Sequence, residues 1–247
     1  MIAHRLTLEK GRTLLQHRGS ASNQYILEDS REDAAYLVDC GMPSDAAGLA
    51  EVLEGMPPLK RVVCTHFHVD HVAGWIRLKR RFASARIYFH RAAAPLVEGK
   101  AVIPLPGFKA WREVLIPCMR ESGYLPALGD ILDGGLYGTP FKKGFPGDRV
   151  RYFDEGDDVL PGFIAIHTPG HRPDHVAYMH VASGVLICGD FIIVIDGRPL
   201  ANTFLSSPPD QRASLEKIRT TPGIASVWPG HGRVSPFDGD ALRLLQG

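Results

Sequence analysis

Four potential metal ligands fall within the heptapeptide Thr-His-Phe-His-Val-Asp-His at residues 65–71. In an extended segment successive side chains alternate sides, so His66, His68 and Asp70 would face the same way. His71 adjoins Asp70 and must diverge from it, which makes it hard for one ion to collect all of them. The arrangement suits two neighbouring ions, one for the His66/His68 pair and one for the Asp70/His71 pair. Imidazole and carboxylate together favour zinc, iron or manganese over magnesium or calcium.

Further candidate ligands stand just after strand-like runs later in the chain. His171 ends a Thr-Pro-Gly-His segment, Asp190 follows a glycine, and His231 lies in Pro-Gly-His-Gly. The glycine beside each of these ligands lets the backbone make the sharp turn that aims a side chain inward. Loops carried on rigid strands are a common place for functional sites, so we expect these side chains to join the histidine cluster.

Strand-like and helical patterns alternate around these loops. A short buried strand at 61–64 delivers the histidine cluster at its C-terminal end, and a helix over 72–81 follows, with apolar residues at helical spacing. Strands resume at 150–153 and continue to 225–228, and a helix over about 207–219 precedes the last of them. The alternation predicts an α/β layered protein.

Residues 95–149 interrupt the pattern. Seven prolines and nine glycines fall in this stretch, too many for regular sheet. It contains one helical pattern from Phe108 to Met119, which Pro117 should kink. An insertion of this length is expected to form a lid, a substrate wall or a homodimer contact, with structural packing alone as the competing interpretation.

The composition excludes several classes of protein. The 247 residues are 45% hydrophobic and 22% charged, as in an ordinary globular protein. A net charge of +1 gives no electrostatic reason to expect nucleic acid or an anionic membrane as partner. No apolar run reaches the length of a membrane span and the N-terminus lacks a signal-peptide core, so we expect a cytoplasmic protein. The cysteines, without a Cys-x-x-Cys pair, are expected to be free and buried: Cys40, Cys64, Cys118 and Cys188.

Taken together, these motifs resemble the metallo-β-lactamase superfamily. The resemblance covers His-x-His-x-Asp-His, Thr-Pro-Gly-His, Gly-Asp and Pro-Gly-His-Gly in the family order, from about Asn23 to Gly232. The strand end Asp39-Cys40-Gly41 is similar to the family's Asp-Thr-Gly element, with Cys where Thr is usual. The resemblance implies that residues 1–247 form one domain, a four-layer αββα sandwich of α/β (α+β) class. Two mixed sheets would lie face to face with helices outside, and the site would lie along one edge.

The resemblance also assigns ligands. One metal would be held by His66, His68 and His171, and a second by Asp70, His71 and His231. Asp190 would bridge the two ions, while Asp39 and His175 would orient the ligands through hydrogen bonds. The implied cofactors are two divalent ions, Zn²⁺ in the first place, with Fe or Mn as alternatives.

The implied reaction is metal-assisted hydrolysis of an ester-like bond in a small molecule, such as a lactone or thioester. A hydroxide held between two ions would attack the carbonyl carbon, and Asp70 would act as the catalytic residue that orients it and carries its proton to the leaving group. The residues expected to contact the substrate are aromatic: Phe67, Trp111, Tyr137 and Phe191.

Several branches of the superfamily compete as relatives. Glyoxalase II carries a helical glutathione-binding region after its last histidine ligand, and because only 16 residues follow His231 we expect that region to be missing. The secreted β-lactamases, which are amide hydrolases, need export, and the N-terminus here lacks a signal-peptide core. Processing enzymes for transfer RNA use a basic exosite that a charge of +1 does not suggest. The lactonases match in length and in the Thr-Pro-Gly-His-x-Pro segment, although Asp174 stands where their motif often has Gly.

An oxidoreductase and a binding protein are the alternatives from other classes. The persulfide dioxygenases of this superfamily retain the same motifs but bind one iron through two His and one Asp, which would be His66, His171 and Asp190 here. Their sequence around the bridging Asp is not reproduced at Asp190. A protein that keeps the metals but mainly binds a ligand is disfavoured by the complete ligand set.

Overall fold

The computed structural model describes residues 1–102, 107–123, 127–128, 130 and 145–237. The chain begins with antiparallel strands and continues in parallel ones to form a seven-stranded sheet, here called the N-terminal sheet. Its strands lie in sequence order: β1 Ile2–Glu9, β2 Arg12–Arg18, β3 Asn23–Asp29, β4 Ala34–Val38, β5 Leu59–Val63, β6 Arg86–His90 and β7 Val150–Phe153. From β4 onward the strands pair in parallel, with Val38 opposite Val63. The carboxyl ends of β4 and β5 therefore meet at one edge.

The later strands form a five-stranded sheet, here called the C-terminal sheet, and a separate hairpin. In chain order they are β8 Phe163–His167, β9 Val176–His180, β10 Val185–Gly189, β11 Ile192–Ile195, β12 Arg198–Ala201, β13 Ser226–Pro229 and β14 Ser235–Pro236. The C-terminal sheet has the order β14-β13-β10-β9-β8, and β10 runs parallel to β13. The hairpin pairs β11 with β12. Its turn residues Asp196 and Gly197 have φ of 51° and 74°, as a two-residue type I′ turn requires.

Short helices connect the strands. They are α1 Ala46–Glu54, α2 Val69–Val72, α3 Trp75–Arg81, α4 Ala94–Val97, α5 Phe108–Ala110, α6 Ile116–Ser122 and α7 Pro208–Thr220. A wider π turn over Trp111–Leu115 joins α5 to α6 just before Pro117. The predicted disturbance at Pro117 takes this form because proline lacks the N–H of a regular helical turn. No helix among the described residues is long and apolar enough to cross a membrane.

Alternating side chains on the two sheets build three apolar layers. On the outer face of the N-terminal sheet, Leu37 and Val62 pack against α1 and α3. Between the sheets the core contains large rings, among them Tyr36, Tyr178 and Trp228. The outer face of the C-terminal sheet packs against α7. This order of helix, sheet, sheet and helix confirms the predicted αββα sandwich, and the described cysteines are all free and buried as predicted.

The helix predicted over 72–81 is two helices with a break at Gly74. The break exists because the loop after β4 approaches the helix backbone there: Gly74 N–H donates to the Gly41 carbonyl at 2.8 Å. A Cβ atom on Gly74 would lie 2.0 Å from the Cys40 carbonyl oxygen. This close approach holds the end of β4, including Asp39, against the helix that carries Asp70 and His71.

We expect Gly74→Ala to lower the free energy of unfolding by about 1–3 kcal/mol, because the added methyl group has no space and must displace backbone. Gly48→Ala in α1 is the matched control. A Cβ atom at Gly48 meets nothing within 4 Å, so that change should raise stability by about 0.5–1 kcal/mol. Urea unfolding of both variants measures the difference. Equal stability of Gly74→Ala and the unchanged protein would contradict the steric argument.

The insertion over 95–149 is described only in part. Within it, Val114 and Cys118 pack against Ile193 of β11, so the α5–α6 segment lies beside the hairpin. Tyr137 lies outside the described residues, and so does the chain after residue 237.

Candidate metal centre

Loops at the carboxyl ends of strands from both sheets bring the predicted ligands to one edge of the sandwich. The 65–71 segment follows β5, and the later ligands follow strands of the C-terminal sheet: His171 after β8, Asp190 after β10 and His231 after β13. All seven predicted ligands come together in two groups. The atoms that each group offers to a metal lie within 4.8 Å of one another.

The first ligand group contains His66, His68, His171 and Asp190. Nδ1 of His68 lies 2.9 Å from Nε2 of His66 and 3.1 Å from Nε2 of His171. Oδ2 of Asp190 lies 3.9 Å from Nε2 of His66 and 3.7 Å from Nε2 of His171. Three imidazole nitrogens and one carboxylate oxygen thus face a common point.

The second ligand group contains Asp70, His71 and His231. Oδ2 of Asp70 lies 3.2 Å from Nε2 of His231 and 3.6 Å from Nε2 of His71. Asp190 also reaches this group, with Oδ1 at 3.2 Å from Nε2 of His71 and Oδ2 at 3.2 Å from Nε2 of His231. Asp190 therefore stands between the two groups.

The extended geometry considered for the 65–71 segment applies only to its first part. His68 keeps extended backbone angles, with φ −105° and ψ 152°, and α2 begins at Val69. Asp70 and His71 consequently diverge from the earlier histidines on the first turn of a helix. They do not follow the alternation of a strand.

Hydrogen bonds donated by Nδ1 fix the orientation of three ligand imidazoles, those of His171, His231 and His71. Nδ1 of His171 donates to the Phe204 carbonyl at 2.6 Å, and Nδ1 of His231 donates to the Ala21 carbonyl at 3.0 Å. Nδ1 of His71 donates to Oδ2 of Asp39 at 2.8 Å. With the proton on Nδ1, each ring presents the lone pair of Nε2 to the site, which is the form that a metal binds.

Asp39 acts on both ligand groups. Its Oδ2 accepts from the His71 ring and, at 2.8 Å, from Oγ1 of Thr65. The Thr65 hydroxyl donates its proton to Asp39. Its oxygen therefore accepts a hydrogen bond from Nδ1 of His66 at 3.0 Å. Asp39 has φ of 58°, a left-handed conformation that is uncommon outside glycine and that clusters at functional sites.

His175 has no nitrogen left for a metal. Its Nε2 accepts the backbone N–H of Asp190 at 3.2 Å, so the ring proton is on Nδ1, which donates to Oγ1 of Thr168 at 2.8 Å. The residue therefore anchors the backbone of Asp190. This is the hydrogen-bonding position expected for it from the sequence.

Burial keeps the histidines of the first group neutral. It lowers the pKa of His66 and His68 well below the ordinary value, and lowers the pKa of His171 to about 4. Charge repulsion among these rings acts in the same direction for His66 and His68. Neutral imidazole is the ligand form, so this group is ready for a metal at neutral pH.

Carboxylates dominate the second group. Burial is the largest single effect and would lower the pKa of His71 and His231, but the neighbouring anionic groups, Asp190 foremost and Asp70 with it, together outweigh burial and raise the pKa of both. Burial would likewise raise the pKa of Asp70 and Asp190, but His71 and His231 outweigh it and lower both. The carboxylates are thus ionised and attract positive charge. A divalent ion would take over this role from the imidazole protons, because metals bind the deprotonated ligands.

The donor set fits two divalent ions. Nε2 of His71 and Oδ1 of Asp190 are enclosed without a hydrogen-bond partner among the described residues, which is rare for buried polar atoms unless they face an ion or water. The first group offers four ligand atoms, and the second offers four when the shared Asp190 is included. Four nitrogen and oxygen ligands are what zinc takes in proteins.

Two of the aromatic residues predicted to contact substrate are core residues, and those predictions are wrong. Phe67 is 1% exposed and its ring packs edge-to-face against Phe89 and Phe145. Phe191 is 0% exposed and packs in the layer under α7. Both follow a ligand in the sequence, but their apolar rings are buried in the cores that support the loops. Trp111 is 46% exposed on the α5–α6 segment.

Phe204 and Asn202 also lie at the centre, although neither was predicted from the sequence. The Phe204 ring stacks on the His68 ring, with centroids 5.8 Å apart and planes at 9°, while its carbonyl accepts from His171. Oδ1 of Asn202 in turn accepts the Phe204 N–H at 2.8 Å. These residues follow β12, and no motif or periodic pattern marks them. The Asp-Gly pair of the preceding turn was the available signal for the hairpin that positions them.

Comparison with known proteins adds the family context. The family model described as the metallo-β-lactamase superfamily matches residues 17–231. The chain is 27% identical to a hydroxyacylglutathione hydrolase of Thermosynechococcus vestitus, over 84% of this chain and 62% of the relative. It therefore spans about three fifths of the length of that relative. It is 24% identical to the probable metallo-hydrolase YflN of Bacillus subtilis, over 85% of this chain and 80% of the relative.

A solved structure with the same fold is that of TTHA1623 in a di-iron-bound form. The TM-score is 0.58 at 25% sequence identity, and the alignment covers 89% of this chain and 92% of the other.

Proposed function

This chain belongs to the metallo-β-lactamase superfamily, and we propose that it is a metal-dependent hydrolase that uses two divalent ions on an ester-like bond. The observation that carries the proposal is the position of Asp190. Its carboxylate lies 3.7 Å from His171 of the first group and 3.2 Å from His71 and His231 of the second. A carboxylate shared in this way supports a paired centre, with Zn²⁺ as the first candidate and Fe or Mn as alternatives.

Bound between these groups, the ions would supply Lewis acidity, which lowers the pKa of a water molecule and polarises a scissile carbonyl. The chain itself supplies the proton acceptor. Asp70 is ionised because its pKa is lowered, and its side chain is 21% exposed. Its backbone is fixed by Ser22, whose hydroxyl donates to the Asp70 carbonyl. Asp70 can thus take a proton from the attacking water and deliver it to the leaving group.

The substrate class that we propose is a small thioester or lactone. A thioester is supported by the similarity to hydroxyacylglutathione hydrolases. The surroundings of the first group add an apolar wall: Phe204 stacks on His68 and packs, with Leu200, against the cluster formed by Val114 and Cys118. Trp111 precedes that cluster on the same helical segment and would extend the wall outward. Such a wall suits the acyl part of a substrate.

A mononuclear dioxygenase would need only His66, His171 and Asp190. The second group has no role in that chemistry, yet its members are aligned with Asp190, and His71 is bonded to Asp39. The dioxygenases retain the same motifs, so the ligand set does not separate the two activities. We favour the hydrolase because the dioxygenase sequence around the bridging Asp is not reproduced at Asp190.

The test is a panel of substrates for the purified, metal-loaded protein. We expect hydrolysis of a thioester or a lactone that is lost after treatment with a chelator and restored by Zn²⁺. Cleavage of a β-lactam alone would move the substrate to the amide class. A protein with both ions bound that hydrolyses nothing in the panel, or that consumes oxygen with a persulfide, would contradict the proposal.

A further inference from the structure

Arg172 is a buried cation that the hydrolytic chemistry described above does not use. It directly follows His171, and its side chain is 9% exposed. Its Nε is fully enclosed without a hydrogen-bond partner, and among the described residues none of its nitrogens makes a hydrogen bond. A guanidinium taken out of water is costly unless a partner satisfies it.

The nearest carboxylate, Asp174, satisfies Arg172 poorly. Its Oδ1 lies 3.8 Å from Nε of Arg172, beyond hydrogen-bond distance, and is itself enclosed without a partner in the part of the chain that the structure describes. Its Oδ2 is committed to the Phe67 backbone N–H at 2.7 Å, which fixes the loop between His66 and His68. Burial also raises the pKa of Asp174, which opposes its ionised form.

The guanidinium lies beside the first ligand group. Arg172 directly follows the ligand His171, and the Asp174 carboxylate that its Nε faces at 3.8 Å accepts, through its other oxygen, the Phe67 N–H between the ligands His66 and His68. The apolar ring of Phe204 stacks on His68 of the same group. A substrate placed at this group would therefore have an apolar ring and an unsatisfied cation close to it.

We propose that Arg172 is a specificity residue that binds a carboxylate group of the substrate beside the first ligand group. The planar fork of N–H donors in arginine matches a carboxylate, and the bond is charge-assisted. A singly charged carboxylate is favoured over a doubly charged phosphate because one guanidinium balances one negative charge. This assignment deepens the proposed function and rests on it, because the ligand is a substrate only if the protein is a hydrolase. Anion binding itself can be measured without turnover.

The experiment is calorimetric titration of the metal-loaded protein with succinate, with its neutral diamide, and with inorganic phosphate. We expect Arg172→Gln to weaken succinate binding by about tenfold to a hundredfold. Binding of the diamide and the metal content per chain should stay unchanged. Arg172→Lys should recover part of the affinity. Arg81→Gln is the matched control, because Arg81 is 51% exposed and pairs with Glu54 on the surface.

The double variant Arg172→Gln/Asp174→Asn separates binding from a structural ion pair. It removes both buried charges, and the Asn oxygen can still accept the Phe67 N–H. The proposal predicts that succinate binding stays weak in the double variant. Recovery of the original affinity would show a structural pair and overturn it, as would unchanged succinate binding in Arg172→Gln. Phosphate binding that is tighter than succinate binding and depends on Arg172 would overturn the carboxylate assignment. Succinate binding through Arg172 in a protein that hydrolyses nothing would support this inference and contradict the proposed function.

Discussion

Asp190→Ala should remove metal from both ligand groups and lower hydrolytic activity by about a thousandfold or more. The loss follows because Asp190 faces nitrogens of both groups, and metal-ion catalysis supplies several kcal/mol at about tenfold in rate per 1.4 kcal/mol. Metal analysis of the dialysed variant and initial rates on the best substrate of the panel measure the effect.

The matched control is Asp154→Ala. Asp154 is 55% exposed, pairs with Arg91 and is far from every ligand along the sequence. Surface ion pairs of this kind contribute little to stability. The variant should keep its metal and its rate. If Asp190→Ala retained two ions per chain, the shared position assigned to this carboxylate would be wrong.

Asp39→Asn should weaken metal binding about tenfold to a hundredfold, although Asp39 contacts no metal position itself. Oδ2 of Asp39 accepts from both Thr65 and His71, and an amide cannot offer acceptors at both carboxylate positions. Either the Thr65 backbone or the pair of donors on Oδ2 would face an NH₂ group. Asparagine tolerates the left-handed φ of 58°, so the change tests the hydrogen bonds and spares the backbone.

Asp29→Asn is the control for this second prediction. Asp29 is as deeply buried as Asp39. It is the last residue of β3 and accepts a hydrogen bond from Arg12 at 2.6 Å, whereas Asp39 follows β4. The control substitution should lower thermal stability and leave metal affinity unchanged. Chelator competition on both variants gives the affinities, and equal metal loss in the two would show that Asp39 acts only through general stability.

The ligands could be predicted from sequence because ligand chemistry and turn chemistry coincide at each of them. His66 and His68 follow a buried strand, and a glycine precedes or lies near the later ligands. The layered fold could be predicted from alternating strand and helix patterns, since each face of each sheet needs an apolar partner. The exact start of α2 could not, because His68 ends an extended segment without a strong helix-start residue.

Substrate contacts were less predictable for a physical reason. Phe67 stands between two ligands, but an apolar ring next to a ligand can be buried as readily as it can line a site, and here it is buried. Phe204 and Arg172 are placed at the centre by tertiary packing of a hairpin and a loop. No motif marks Phe204, and Arg172 is marked only by its position directly after the ligand His171.

The central claim is that two ions occupy the two ligand groups, and the most direct test is the metal content of protein purified without added metal. Elemental analysis should find close to two divalent ions per chain, with zinc as the expected element and iron or manganese as alternatives. The same analysis on His231→Ala should find close to one, because His231 belongs only to the second group. One iron per chain in the unchanged protein, with no loss in His231→Ala, would contradict the paired centre.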